Sequence, residues 1–297
     1  MFGDYQQDPI RDLDHARDIL KRYSEYYDTR TIKMYMAGNR QQRQWVAMAA
    51  REQRLMPTTE GGLRFMYDLS LAIDGYAGLE HSLPVYPIYR DVVELFAGTG
   101  IAYTPTLLVS YGGPWAENWY FARENPHDDE KLRRFTPHED LDARTRRRNA
   151  GWFRDEEYVF PDHAAGVKQI VEAGGLAGVG SHGQLQGLGY HWELWAMQSG
   201  GLDEHDALRV ATLMGAEAIG LAADLGSIES GKLADLVVLD ANPLDDIRNT
   251  NTVRWVMKNG RLYEGDTLDE IWPRQRPLDR AGWLVAEPEV EGGAGGS

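Results

Sequence analysis

Met56-Pro57-Thr58-Thr59-Glu60-Gly61-Gly62, an amphipathic run through about Ile73, and then Gly78-Leu79-Glu80-His81 form the stretch that decides the fold. Met56 to Thr59 reads as a short strand closed by Glu60-Gly61-Gly62, the middle as a helix, and the segment ending at His81 as another short strand. Two short strands joined through a helix-length crossover are expected to lie parallel.

The same unit repeats outward in both directions. Upstream, Thr31 to Met36 reads as a strand and Arg40 to Gln53 as a helix with Trp45, Met48 and Ala49 on one side. Downstream, Tyr89 to Ala97 is helical and stops at Gly98 and Gly100. Ile101 to Val109 reads as an apolar strand that should end or bend near Pro105. Phe160 to Ala173 is a further helix, broken by Gly174-Gly175, and Leu176 to Gly180 a short buried strand. Asp203, with Asp206 three residues on, marks the start of a helix that runs to Met214. Repeated strand–helix units predict an α/β fold with a parallel sheet or a (β/α) barrel.

Two regions break the rhythm. Residues 112–156 form a long, charged, aromatic-rich insertion, and insertions of that size are more often functional than idle. Its Trp115, Trp119, Tyr120 and Phe121 either cover a site or pack the loop, and packing is the favoured reading. Past Gly226 the chain turns β-rich: Leu236 to Leu239 and Thr252 to Met257 read as strands, and Asn259-Gly260 as a hairpin turn. The tail from about Ala286 is low in complexity and is expected to lack structure.

Composition narrows the chemistry. A net charge of −15 argues against nucleic acid or an anionic membrane as partner. No run of residues is long and apolar enough for a membrane span, and no secretory leader is legible, which leaves the compartment open. The absence of cysteine removes disulfides, thiolate metal sites and a cysteine nucleophile. Any metal must therefore be held by nitrogen and oxygen. No Gly-x-Ser-x-Gly elbow and no phosphate-binding glycine loop is present.

Lys33, Glu60, His81 and His182 each lie at or near the end of an apolar run, and in a barrel those ends share one mouth. Imidazole and carboxylate suit a divalent ion, zinc first and manganese second, which would bring the pKa of a water molecule down to about 7. His191 and Glu193, in Tyr190-His191-Trp192-Glu193, follow the last strand and are candidate substrate contacts. His15, His127, His138, His163 and His205 sit in charged contexts and are expected at the surface.

Gly226-Ser227-Ile228-Glu229-Ser230-Gly231-Lys232-Leu233-Ala234-Asp235-Leu236-Val237-Val238-Leu239-Asp240, followed by Asn242-Pro243-Leu244, resembles the C-terminal signature of the amidohydrolase superfamily. Glu80-His81 followed by Thr104-Pro105-Thr106-Leu107 is similar to strands six and seven of its imidazolonepropionase- and prolidase-like branch. Gly180-Ser181-His182-Gly183-Gln184-Leu185-Gln186-Gly187 resembles a subgroup often fused to an N-terminal β-propeller. The resemblance implies a partial (β/α)8 barrel, about strands four to eight, over residues 1–225, small-sandwich strands over 226–265, and an extension over 266–297.

The resemblance also implies a metal-dependent hydrolase that acts on carbon–nitrogen bonds of a small amide-type substrate through activated water, with one ion or two. His81 falls on the strand-six metal ligand. Lys33 falls on the strand-four position, which is a carboxylated, metal-bridging lysine in binuclear members; here it is that or an ordinary cation. Glu60 stands where strand five usually ends in histidine, and His182 where strand eight usually supplies aspartate. The expectation is a rebuilt site, with Glu60 as carboxylate, His182 as imidazole, and proton transfer falling to either. The family's His-x-His occurs nowhere in this sequence. The chain is thus expected to supply about five of eight barrel strands. A missing N-terminal segment, or a second chain as in a homo-oligomer, would complete it. A non-catalytic subunit and an ester or lactone hydrolase are the rival readings.

Overall fold

The computed structural model describes residues 10–27, 29–35, 38–113, 117–147, 151–182 and 185–279. Trp115, Gly183, Gln184 and the tail expected to lack structure from about residue 286 lie outside them.

Five strands build a parallel sheet: β1 (Thr31–Met34), β2 (Met56–Glu60), β3 (Gly78–Glu80), β4 (Ala102–Thr104) and β5 (Leu176–Ala177), in that spatial order. Helix α1 (Leu13–Tyr26) precedes them, and α2 (Arg40–Glu52), α3 (Phe65–Asp74) and α4 (Arg90–Thr99) form the crossovers. Sequential neighbours throughout are what strand–helix–strand crossovers produce. Among the described residues β1 and β5 are the edges of the sheet.

Between β4 and β5 come α5 (Leu107–Tyr111), α6 (Asn118–Arg123), α7 (Glu130–Phe135), α8 (His138–Arg144) and α9 (Phe160–Glu172). The strand expected over Ile101 to Val109 therefore ends at Thr104. Proline cannot donate to the ladder, and after Pro105 the chain turns into α5. Helix α10 (Leu188–Gln198) follows β5. Next come α11 (Glu204–Arg209), capped by the Asp203 carboxylate on Asp206 N–H, a π-helical turn at Val210–Met214 and α12 (Gly215–Ala218). The helical run thus passes through Gly215, where it was expected to stop.

A second sheet of four antiparallel strands, β6 (Leu236–Leu239), β7 (Val253–Lys258), β8 (Arg261–Glu264) and β9 (Glu270–Trp272), completes the chain. Asn259 and Gly260, both at positive φ, make the tight turn between β7 and β8.

The pleat sorts the parallel sheet into two faces. Thr59, Leu79, Tyr103 and Ala177 are buried in the layer under the helices, and Leu79, Tyr103 and Ala177 join Leu71, Phe96, Val167 and Trp192 in one core. A smaller core joins Ala16 and Leu20 of α1 to Val46, Ala49 and Ala50 of α2. The opposite, concave face carries Lys33, Thr58 and Gly78 at one level. Glu60, Glu80 and Thr104 sit in register across β2, β3 and β4 at the next. A period of two puts these polar groups together on the face away from the apolar layer.

Candidate active site

The C-terminal ends of β1 to β4 are fixed by a ladder of backbone bonds just past the strands. Gly61 N–H donates to the Glu80 carbonyl at 2.7 Å, and His81 N–H to the Thr104 carbonyl at 2.8 Å. Gly61 has to be glycine, because a Cβ there would stand 2.9 Å from the Glu80 carbonyl oxygen. Gly180 lies equally close to Thr104 and Thr106, whose methyls would meet its Cβ at 2.6 and 2.8 Å. That approach lets the segment after β5 fold in against β4.

Four side chains singled out from the sequence meet on this rim. His81 Nε2 lies 2.5 Å from Glu60 Oε1, and Lys33 Nζ is 3.5 Å from Glu60 Oε2. The His182 ring lies 5.6 Å from that of His81, centroid to centroid. Thr106, not anticipated, holds the other nitrogen of His81 through its hydroxyl at 2.5 Å. Glu60 thus bridges a cation and an imidazole, while His81 is oriented from both ring nitrogens. His81, Thr106 and His182 all have positive φ, at 73°, 48° and 46°. Non-glycine residues in that region carry backbone strain that a packed scaffold must hold, and such strain gathers at functional sites.

Electrostatics follow from half-burial. Desolvation pushes the Glu80 carboxyl up, with the Lys33 ammonium and His81 pulling it down and Glu60 pushing it up. Burial also holds the His182 imidazole below its ordinary value, with His81 acting in the same direction. Glu80 was read only as a strand residue. The alternation along Gly78-Leu79-Glu80 is the signal that places it on the same face as Lys33 and Glu60.

His191 and Glu193 do not join this cluster. Both lie on α10, where Trp192 through Met197 are buried in succession. Glu193 is 1% exposed, and its carboxylate accepts the backbone N–H groups of Leu107 and Leu108 at the start of α5. Burial pushes its carboxyl up to about 8 against the pull of those two bonds. His191 Nδ1 lies 3.1 Å from the Thr250 hydroxyl, tying α10 to the segment before β7. Their expected role as substrate contacts gives way to a structural one, because α10 is an interior helix. His127 and His163, expected at the surface, are both buried. Tyr120 stacks on Trp192 while Phe121 meets it edge-on, and Trp119 packs edge-on against Tyr158 and Phe160. These insertion aromatics are packing residues.

The donor types on the rim, two imidazoles and a carboxylate beside a lysine, fit a divalent ion bound through nitrogen and oxygen. Glu60 and His81 already face each other; the His182 donor stands further off. The described His, Asp and Glu groups whose donor atoms all fall within 4.8 Å lie elsewhere, at His127–His138–Asp142 and Asp203–His205–Asp206.

Parallel strands whose polar residues collect at one end are the arrangement on which (β/α) folds carry functional groups. Residues 149–263 match the model of the amidohydrolase family. Over 62 residues the chain is 44% identical to 5-methylthioadenosine/S-adenosylhomocysteine deaminase of Teredinibacter turnerae, which covers 21% of this chain and 14% of the relative. Over 75 residues it is 43% identical to imidazolonepropionase of Shouchella clausii, covering 24% and 17%. Among solved structures, it resembles a Xaa-Pro dipeptidase with methionine bound in its active site. That match has a TM-score of 0.61 at 21% identity and covers 89% of this chain and 62% of the other. The chain therefore spans about three fifths of that solved relative, and the curated matches cover under a fifth of theirs.

Proposed function

We propose that this chain supplies the Lys33–Glu60–His81–His182 wall of a metal-dependent hydrolase that cleaves carbon–nitrogen bonds in small amide-type substrates. The observation that supports it most is the meeting of Lys33, Glu60, His81 and Thr106 at the ends of neighbouring strands, with His182 beside them. The amidohydrolase match, with relatives that include a deaminase and an imidazolonepropionase, agrees with that bond class.

Glu60, His81 and His182 would hold the ion, zinc or manganese, with Lys33 joining them if its amine is carboxylated. When bound, such an ion supplies Lewis acidity and lowers the pKa of water. The chain's own groups account for the remaining chemistry. Glu60 takes a proton at the carboxylate oxygen left free by the ion. The Thr106 hydroxyl, 2.5 Å from His81 Nδ1, orients the His81 ring. His182, whose imidazole burial holds below its ordinary value, either completes the ion's ligands or, where it is not a ligand, takes up a proton and returns it to the departing nitrogen.

One observation favours a second reading. Lys33 sits on β1, an edge of the sheet, and its side chain is 52% exposed. On this reading the mouth formed by the described strands is open at β1, and the chain by itself acts as a non-catalytic subunit.

The test is hydrolysis of paired amide and ester isosteres by the purified protein, loaded with zinc or manganese and then stripped by chelator. Amide turnover that follows metal loading and collapses in Glu60→Gln supports the hydrolase. Ester turnover alone shifts the bond class. No retained metal and no turnover of either supports the subunit reading.

A further inference from the structure

Outside the mouth, two imidazoles and a carboxylate converge on the insertion. His127 lies in the 3-10 turn Pro126–Asp128, while His138 and Asp142 stand four residues apart on α8 and share one helix face. One donor atom from each falls within 4.8 Å of the other two. We propose that His127, His138 and Asp142 form a transition-metal site that clips the Pro126–Asp128 turn to α8.

The spacing carries the argument. His127 Nε2 is 3.3 Å from Asp142 Oδ1, and His138 Nε2 is 3.4 Å from Asp142 Oδ2. A charge-assisted hydrogen bond between such groups would close to about 2.7–2.9 Å. Donors around a tetrahedral ion with bonds of about 2.0–2.1 Å stand about 3.3 Å apart, and each imidazole lies at about that distance from one oxygen of the Asp142 carboxylate, His127 from Oδ1 and His138 from Oδ2. Asp142 Oδ1 is in addition buried with no hydrogen-bond partner among the described residues. A buried carboxylate oxygen without a donor is costly unless a cation meets it.

The groups facing the cluster can accommodate an ion. Arg146 Nη1 lies 3.5 Å from Asp142 Oδ1, but its side chain is 59% exposed and can swing into solvent. The Thr145 hydroxyl donates to the Leu141 carbonyl at 2.6 Å, which leaves its oxygen to accept from His127 Nε2 at 2.9 Å. An ion takes that Nε2 lone pair once the ring carries its proton on Nδ1 instead. Two imidazoles and a carboxylate select zinc or a neighbouring transition metal over calcium or magnesium, and three protein donors leave a fourth position for water. The Asp203–His205–Asp206 group differs: its carboxylates already cap α11 and pair with Arg209.

Zinc titration by calorimetry, with the melting temperature followed in parallel, tests the site in the full chain carrying Glu60→Gln, so that binding at the mouth is separated from binding here. One equivalent of zinc should still bind and raise the melting temperature. Adding His138→Ala or Asp142→Asn should weaken that binding at least tenfold and abolish the rise. His138 is 74% exposed and Asp142→Asn preserves shape, so both variants should fold. Zinc binding unchanged by either substitution, or no zinc bound in the Glu60→Gln background, overturns the proposal.

Discussion

Two carboxylates set in the same apolar frame have opposite fates. Glu60 ends a strand at the open rim, where its partners are side chains, Lys33 and His81, that can exchange protons or ligands. Glu193 sits inside α10 and accepts only backbone N–H groups, those of Leu107 and Leu108. The first is paired with side chains; the second is held by backbone groups at the start of α5. The two are nonetheless connected. The peptide that Glu193 anchors follows directly on Thr106, whose hydroxyl orients His81. A buried carboxylate bound to backbone thus helps to position the one proposed to meet substrate.

Substitution should separate the two regions cleanly. Glu60→Gln and His182→Ala are each expected to cut turnover by about a hundredfold or more, the scale of general acid–base catalysis. Their urea midpoints should stay near that of the parent. Parental rates in both would erase the distinction between rim and interior. Glu193→Ala should do the reverse first, costing about 2–3 kcal/mol because two buried N–H groups lose their acceptor. Equilibrium urea unfolding reads this directly, and a loss below about 0.5 kcal/mol would mean that α5 does not depend on it.

A pH titration sharpens the contrast using a third buried group. The His163 ring stacks on Tyr111 with centroids 3.6 Å apart, and burial holds its pKa down at about 4. An unfolded histidine titrates near pH 6.5, so below that the unfolded chain takes up a proton that the folded chain refuses. Stability is therefore full above pH 6.5 and drains away as the pH falls through about 4, by about 2 kcal/mol. His163→Phe should flatten this acid limb, and an unchanged limb would assign it to other groups. The smallest effect is expected at His191. His191→Ala should cost about 1 kcal/mol of stability through its lost bond to Thr250 and leave KM unaltered. A raised KM would return His191 to the substrate.

Much of this was legible in the chain of residues because the parallel sheet repeats one pattern. Short apolar runs, each ended by a polar residue, mark β1 to β5, and they brought Lys33, Glu60, His81 and His182 forward together. What escaped has identifiable causes. Helix α1 was hidden because its buried contacts are mainly Ala16 and Leu20 among charges, although Asp12 capping His15 N–H is a helix start. In α2, Met48 was expected inward yet is exposed, and the buried face is made by Val46, Ala47, Ala49 and Ala50. Small alanines carry little periodic signal. Glu193 was misread because a lone acid invites a functional reading, whereas Trp192-Glu193-Leu194-Trp195-Ala196-Met197 is the surrounding of an interior group. Thr106 could not be anticipated, since its link to His81 spans 25 residues and exists only once β3 and β4 pair.

The insertion is sewn to the second sheet. Arg248 pairs with Glu124, Asn251 reaches Asp129 at 3.3 Å, and Lys131 meets both the Val253 carbonyl and Asp266. A protease that cut the chain between α8 and α9 would therefore release nothing. The severed piece would stay stitched to β7 and its neighbours, travel as one particle through gel filtration, and come apart only in denaturant.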